Sequence, residues 1–304
     1  APLILNAHLD TVESTEGLVT KEKDGAIYSA GPTVLGADDR AGVAALLEGV
    51  ESALESGVSR GDIFLVFTVC EEQGVRGARF LETGRLPRAP FYSFDAGEPA
   101  GTCINSAAGR LSLSVTVRGK EAPAWAPEEG VDAIAVTAKA ADSLKWGRTD
   151  EWSSMNTGVI KGGRSAETVA GEAYLEIGIR SVKRELLEEY TRKTRRAFCS
   201  AAEEAGACAD IEIAEDYPPL DTPADAPVCR MALLAAERAG LAGALARSGA
   251  GFDANRLSAA GFEAVSMGIG YKNAHSPAEY IEEKELAGSA LLVRSLIECY
   301  GKER

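Results

Sequence analysis

Two adjacent carboxylates, Glu71 and Glu72, directly follow the apolar run from Ile63 to Cys70. That run has the length and composition of a buried strand. In an open α/β sheet, the ligand crevice lies at the carboxyl ends of the strands. Adjacent like charges at the edge of a core are unfavourable unless a cation or a proton offsets them. The pair therefore has two interpretations. It indicates a site that binds a cation or transfers protons or, if it is taken alone, a solvated turn at the start of a helix.

Three other segments also place polar residues at the end of an apolar stretch or at the start of a helix. The apolar stretch that begins at Leu3 runs into His8 and Asp10, another apolar stretch ends at Asp95, and a helical pattern begins at Asp38. Each segment alone has an ordinary interpretation, such as a hydrogen-bonded histidine or an aspartate that caps a helix. Polar ends that converge on one edge of a sheet instead predict a functional site.

Composition excludes several classes of partner. The chain has 304 residues and a net charge of -14, with no basic cluster that could follow nucleic-acid phosphates. It has no apolar run near the ~20 residues of a membrane-spanning helix and no signal-like start. The six cysteines form no Cys-x-x-Cys pair and indicate reduced thiols. We therefore expect a cytoplasmic protein without nucleic-acid or membrane partners.

The pattern changes between residues 110 and 217. Strand and helix signals there follow the order β-α-β-β-α-β of a ferredoxin-like module, with one of its helices expected from Pro127 to about Trp146. We interpret residues 110–217 as a domain inserted into a first domain made of residues 1–109 and 218–304. Because a buried strand begins at Leu3, we also expect a further portion, most simply a helix and a strand, before residue 1.

An ordered set of short motifs resembles one enzyme family. The motifs are His8-Leu9-Asp10, Gly36-Ala37-Asp38-Asp39, Glu71-Glu72, Asp95, Gly251-Phe252-Asp253-Ala254-Asn255 and Asn273-Ala274-His275-Ser276. The set resembles the co-catalytic di-zinc metallopeptidases of the aminoacylase, carboxypeptidase and peptidase T type, and most of all the tripeptide aminopeptidases. The resemblance covers nearly the whole chain. It implies a mixed-sheet α/β catalytic domain of the zinc-exopeptidase type, with an inserted ferredoxin-like α+β lid that also forms a homodimer.

The resemblance also assigns roles. It implies two divalent ions, zinc in the first place with cobalt or manganese open, held by His8, Asp38, Glu72, Asp95 and His275. Asp38 would bridge the ions, Glu71 would be the general base, and Asp10 would orient His8. The implied reaction is hydrolysis of short peptides through a metal-bridging hydroxide. The residues implied to contact the substrate are Arg180, Asn156, Asp253 and Asn255, although an ordinary surface arginine is the other interpretation of Arg180.

One position departs from the family pattern. Lid domains of dimeric relatives carry a histidine that reaches the partner's site, and the matching segment here holds Pro123. Proline offers no hydrogen-bond donor, so we expect reduced activity. Two alternatives to a peptidase remain open at this point: an amidohydrolase that acts on N-acyl amino acids, and a catalytically weak metal-binding scaffold protein.

Overall fold

A computed structural model describes residues 1–302 and divides into two compact units. The first unit consists of residues 1–107 and 220–304, and the second of residues 108–219. These boundaries lie beside the positions at which the sequence predicts the inserted domain to begin and end. No helix among the described residues is both long and apolar enough to cross a lipid bilayer.

The first stretch of the first unit alternates strands with one long helix. Its elements are β1 (Leu3–His8), β2 (Thr20–Lys23), β3 (Ala26–Ser29), α1 (Ala37–Glu55), β4 (Ile63–Thr68), β5 (Phe91–Ala96) and β6 (Thr102–Ala107). All six residues of both β1 and β5 are buried. Strands covered on both faces read as continuous apolar runs, which explains the sequence pattern around His8 and Asp95.

The second unit is a ferredoxin-like module. Its elements are β7 (Gly109–Arg118), α2 (Ala133–Asp142), β8 (Gly147–Arg148), β9 (Ser153–Gly162), β10 (Glu172–Ser181), α3 (Arg184–Ala205) and β11 (Cys208–Tyr217). They form a five-stranded sheet in the order β11-β7-β10-β9-β8. Buried and less buried residues alternate along β7, because the helices cover one face of this sheet.

Helix α2 is shorter than the sequence predicts. Residues Pro127–Glu129 form a separate 3-10 turn, and the helix begins only at Ala133. The Asp132 carboxylate sets this start because it accepts hydrogen bonds from the backbone N–H groups of Ile134 and Ala135 at 2.8 and 3.1 Å. The alanine-rich pattern of the sequence does not show at which residue such a cap starts the helix.

The chain then returns to the first unit. The remaining elements are β12 (Leu220–Asp221), α4 (Pro227–Arg238), β13 (Ala244–Ser248), α5 (Asp253–Ala259), β14 (Ala264–Gly268), β15 (Tyr280–Glu282) and α6 (Glu283–Lys302). Six strands follow the order β12-β6-β14-β5-β1-β4, and β13 completes the seven-stranded sheet by pairing with β6. Leu220 is the antiparallel partner of Ala107, so the chain re-enters this sheet beside the point where it left.

The large sheet is mixed. Strand β1 runs parallel to both β4 and β5, whereas β14 runs antiparallel to β6. Helices α1, α4 and α6 pack together over a buried aliphatic and aromatic core. In that core the hydroxyl of Tyr92 donates to the backbone oxygen of Val228 at 2.9 Å and lies 2.8 Å from the hydroxyl of Tyr300. The predicted α/β class with a mixed sheet is confirmed.

Candidate metal centre

Polar side chains gather at one edge of the large sheet. His8 is the last residue of β1, and Asp95 is the last residue but one of the neighbouring strand β5. Glu71 and Glu72 follow β4, which pairs with β1 on the other side. Asp38 is the second residue of α1. Parallel strands bring their carboxyl ends to the same edge, which is why residues far apart in sequence meet here.

The first group of potential ligands consists of His8, Asp38 and Asp95. The Nε2 atom of His8 lies 3.1 Å from Oδ1 of Asp38 and 3.5 Å from Oδ1 of Asp95. All three residues are buried. The other ring nitrogen, Nδ1, lies 2.9 Å from the backbone carbonyl oxygen of Asp10. Donation of the Nδ1 proton to that oxygen leaves the Nε2 lone pair directed at the carboxylates, as metal-ligating histidines require.

The second group consists of Asp38, Glu72 and His275. The Nε2 atom of His275 lies 3.0 Å from Oε2 of Glu72 and 3.2 Å from Oδ2 of Asp38. One oxygen of Asp38 therefore belongs to each group, because its Oδ1 atom faces His8. The potential ligand atoms of each group lie within 4.8 Å of one another.

The donor atoms fit two divalent cations. Bonds of about 2.0–2.2 Å at tetrahedral angles would separate the ligand atoms of a zinc ion by about 3.3–3.6 Å, and the measured separations are 3.0–3.5 Å. Within residues 1–302, the buried Oε1 atom of Glu72 has no hydrogen-bond partner. Imidazole and carboxylate donors without thiolate suit zinc, cobalt or manganese.

The site contains more carboxylate groups than positively charged groups. Burial raises the pKa of Asp95 to about 7 against the attraction of His8, and Asp38 adds to the rise. Burial and Asp38 likewise raise the pKa of Glu72 to about 7. The hydrogen bond to Asp38 raises the pKa of His275 to about 9 although burial opposes it. Burial also lowers the pKa of His8, but Asp95 and the other carboxylates raise it by more. A bound cation would supply the missing positive charge.

In the metal-free protein, stability is expected to fall as the pH rises from about 5 to 9. The pKa of Glu72 is about 7 against an ordinary 4.5, and that of His275 about 9 against 6.5, so the folded state keeps both protons to higher pH than the unfolded chain. For the buried carboxyl group of Glu72, one unit of pKa difference corresponds to about 1.4 kcal/mol. The half-exposed side chain of His275 contributes less per unit, because solvent screens its interactions. We expect the Tm in EDTA to fall by about 5 °C or more.

The control for this pH dependence is Glu72→Gln, which removes one of the titrating groups and should flatten the decrease. Saturating zinc should reverse the trend, because ligands bind metal in their deprotonated forms and affinity therefore rises with pH. A metal-free Tm that stays level or rises between pH 5 and 9 would contradict the charge balance described above.

Asp10 connects His8 to the loop that carries Glu71 and Glu72. Its carboxylate accepts hydrogen bonds from the backbone N–H groups of Glu71 and Glu72 at 3.1 and 3.2 Å. Its Oδ1 atom also lies 3.4 Å from Nδ1 of His8. Burial raises the pKa of Asp10, but these contacts outweigh it and keep the pKa below its usual value. The residue expected to orient His8 therefore also holds the loop that carries Glu71.

Glu71 lies in neither group of potential ligands. Burial, together with the nearby carboxylates of Asp95 and Asp253, raises its pKa well above the ordinary value despite the attraction of His8. The preceding residue, Cys70, has a φ of 58°. Non-glycine residues adopt this left-handed region rarely, and such outliers cluster at functional sites. An unligated carboxyl group with a raised pKa is suited to proton transfer.

Two of the predicted substrate contacts lie in the second unit. Asn156 on β9 and Arg180 on β10 line one groove of about 440 Å³ on this unit's sheet, together with Arg110 of β7. The Nε atom of Arg110 forms an ion pair with Asp216 at 3.0 Å. The groove also contains one acidic side chain, Glu176, beside guanidinium, amide and hydroxyl groups that can bind a carboxylate.

The other two predicted substrate contacts, Asp253 and Asn255, are buried in the first unit. Oδ2 of Asp253 accepts hydrogen bonds from Asn6 and from the hydroxyl of Thr68. Oδ1 of Asn255 accepts a hydrogen bond at 3.0 Å from the backbone N–H of Phe252 at the start of α5. Contact of these two residues with substrate stays a prediction.

Three residues near the potential ligands were not predicted from the sequence. Glu279 accepts hydrogen bonds from the backbone N–H groups of Gly36 and Asp38. Tyr271 donates its hydroxyl to the backbone oxygen of Asp95 at 2.8 Å. Asp39, joined to Asp38 by a cis peptide bond, accepts the backbone N–H of His8 at 2.9 Å. The only sequence signal for Glu279 and Tyr271 is that both lie within four residues of His275.

Comparison with known proteins places this geometry in a family. The profile described as "Peptidase family M20/M25/M40" matches residues 4–298. The chain belongs to this family. The resemblance drawn from the motifs is thereby confirmed, and the chain is an enzyme of an M20 peptidase family.

Two solved structures are similar to this M20 chain. An aminopeptidase PepT from Bacillus cereus has a TM-score of 0.93 and 34% identity, and the match covers 99% of this chain and 81% of that one. A tripeptidase from Staphylococcus aureus has a TM-score of 0.95 and 34% identity, again over 99% and 81% of the two chains. The uncharacterized protein YqjE from Bacillus subtilis is 32% identical over 297 residues, which are 97% of this chain and 80% of that protein.

Proposed function

We propose that this M20 chain is a di-metal exopeptidase that hydrolyses short peptides, tripeptides in the first place. The observation that carries the proposal is the position of Asp38, whose two oxygens face two separate histidine-containing groups at 3.1 and 3.2 Å. Two-metal hydrolases hold their ions about 3.5–4 Å apart, and one shared carboxylate suits that spacing. The similarity to an aminopeptidase and a tripeptidase over 99% of the chain supports the substrate class.

In this proposal the five ligands divide between two ions. His8 and Asp95 would hold the first ion, Glu72 and His275 would hold the second, and Asp38 would contribute to both. Zinc suits these donors, and cobalt or manganese could replace it. When bound, such ions polarise a carbonyl group and lower the pKa of water.

Glu71 moves the protons. Its carboxylate accepts a proton from the attacking water and donates it to the leaving amine. Burial and Asp95 raise the pKa of Glu71 above that of an ordinary glutamate, which favours a group that both takes up and releases a proton. Asp10 keeps Glu71 in place, because its carboxylate accepts the backbone N–H of Glu71 at 3.1 Å.

The second unit contributes to substrate binding in this proposal. Arg180 and Asn156 share a groove of about 440 Å³, and we expect them to bind the carboxylate of the peptide. The unit would act as a lid and would join two copies of the chain into a homodimer. Light scattering measures this state directly, and a monomeric mass at assay concentrations would contradict it.

A peptide panel tests the function. Protein freed of metal with EDTA and then supplied with zinc, cobalt or manganese should cleave unmodified di- and tripeptides and release the N-terminal residue. The metal-free protein should leave the same peptides intact, because neither carbonyl polarisation nor an activated water is then available. N-acyl amino acids form the second arm of the panel. Preferential cleavage of these compounds would favour an amidohydrolase, and no cleavage of any peptide by fully loaded protein would contradict the proposal.

Pro123 favours one alternative, a metal-binding homologue with weak activity. The residue occupies the position at which dimeric relatives carry a histidine, and it lies in a turn where its backbone bridges to Thr168. Removal of one donor that stabilises an oxyanion typically lowers the rate about 10²–10³-fold. Full metal loading with negligible turnover, followed by a large gain in Pro123→His, would favour this alternative over an efficient peptidase.

A further inference from the structure

A buried carboxylate, that of Glu279, holds the backbone beside Asp38. Its Oε2 atom accepts the backbone N–H of Gly36 at 2.6 Å, and its Oε1 atom accepts the backbone N–H of Asp38 at 2.9 Å. Only 1% of Glu279 is exposed. Both oxygens of one side chain are therefore committed to the short segment that carries the shared ligand Asp38.

Arg40 also holds this segment, because it donates hydrogen bonds to the segment's backbone carbonyl groups. Its guanidinium donates to the backbone oxygen of Leu35 at 2.8 Å and to that of Gly36 at 3.2 Å. Gly36 has a φ of 68°, and a Cβ atom there would lie 2.1 Å from Arg40. Because N–H and carbonyl groups are both held by charged side chains, the segment before Asp38 has little freedom to move.

Glu279 belongs to the turn that carries His275. The backbone N–H of Glu279 donates to the carbonyl of Ser276 at 3.0 Å, and the hydroxyl of Ser276 donates to the carbonyl of Asn273 at 2.7 Å. His275 and Asn273 have φ values of 62° and 55°. One compact turn therefore presents a potential ligand, His275, and also holds the segment that carries another, Asp38.

Fold stability alone gives a poor account of Glu279. No lysine or arginine side chain within residues 1–301 forms an ion pair with it. A buried carboxylate without an ion pair is unfavourable unless hydrogen bonds compensate it, and those of its side chain go to the segment of Asp38. A residue selected only for packing would more often be apolar.

We propose that Glu279 is a positioning residue that fixes Asp38 relative to His275 and thereby sets the affinity of the second ion. The inference rests on the proposed function, in which Asp38 and His275 hold that ion. Residues that orient metal ligands typically change metal affinity or activity 10–100-fold when they are replaced.

The test replaces Glu279 with glutamine. Glutamine has nearly the same shape but one acceptor oxygen, so its NH2 group would face one of the two backbone N–H groups and leave that donor unsatisfied. In equilibrium dialysis against buffered zinc, with ions counted by mass spectrometry, we expect Glu279→Gln to retain two sites. The affinity of the site that is lost in His275→Ala should fall about 10–100-fold. Activity should fall at limiting zinc and recover largely at saturating zinc.

Two variants serve as controls. Glu283→Gln removes the same charge from an exposed position four residues along the chain and should bind zinc like the wild type. His275→Ala should lose the second ion outright, which identifies the affected site. If Glu279→Gln fails to fold, as judged by circular dichroism, Glu279→Asp retains the charge but is too short to reach both N–H groups, and the same loss of affinity is expected.

The outcomes separate two failures. Wild-type zinc affinity in Glu279→Gln, with a lower Tm in EDTA, would mean that Glu279 only stabilises the fold and would overturn the inference. A wild-type protein that binds no second ion, or whose second ion is unaffected by His275→Ala, would instead overturn the proposed function.

Discussion

Replacement of Glu71 by glutamine is expected to lower kcat about 10²–10⁴-fold, the range that general acid–base catalysis contributes. Glutamine keeps the size of the side chain but cannot accept a proton from water. Glu71 lies outside both groups of potential ligands, so both ions should stay bound. The measurement combines kcat for a tripeptide with the zinc content of the same preparation.

Glu82→Gln is the matched control for this experiment. Glu82 has a side chain that is 67% exposed and paired with Arg85, so its replacement removes the same charge without touching the site. Activity of Glu71→Gln near that of the control would exclude Glu71 as the general base. A loss of activity that comes with a loss of zinc would mean that Glu71 is a ligand.

Replacement of Asp38 by asparagine is expected to have the largest effect on ion binding. Asp38 is the one residue shared by both groups, with a different oxygen facing each histidine. Asparagine offers a single oxygen and no charge, so it cannot serve both ions. We expect the bound zinc to fall from two ions to one or none, with a loss of activity of at least about 100-fold.

Thermal unfolding gives a second readout for Asp38→Asn. An ion present at 100 times its Kd stabilises the folded state by about 2.7 kcal/mol, and a 100-fold weaker affinity reduces this to about 0.4 kcal/mol. Zinc should therefore raise the Tm of the wild type but hardly that of the variant. Asp24→Asn, at a side chain that is 83% exposed, is the control and should respond like the wild type. If zinc raised the Tm of Asp38→Asn as much as that of the wild type, Asp38 would not be a ligand shared by both ions.

Sheet geometry explains why the residues that the sequence singles out lie close together. His8, Asp95 and the Glu71-Glu72 pair each end or follow an apolar run, and parallel strands bring such ends to one edge. Asp38 comes from the start of the neighbouring helix α1. His275 lies in an irregular loop, so its role is indicated by the motif alone and by no local periodicity.

The supporting residues could not be predicted in the same way. Glu279 and Asp38 are 241 positions apart, and a glutamate after Pro277 looks like any solvated loop residue. Tyr271 and Asp39 also act through contacts that depend on the assembled sheet. Local patterns report which face of an element is buried, but the partner of a buried polar group is decided by tertiary structure.

The pairing of Ala107 with Leu220 gives the second unit an unusual status. To the sheet that carries the potential ligands, everything between these two residues is topologically one hairpin loop. All five potential ligands come from outside that loop. The loop can therefore be enlarged, trimmed or exchanged without any change in the order of the strands that carry these ligands.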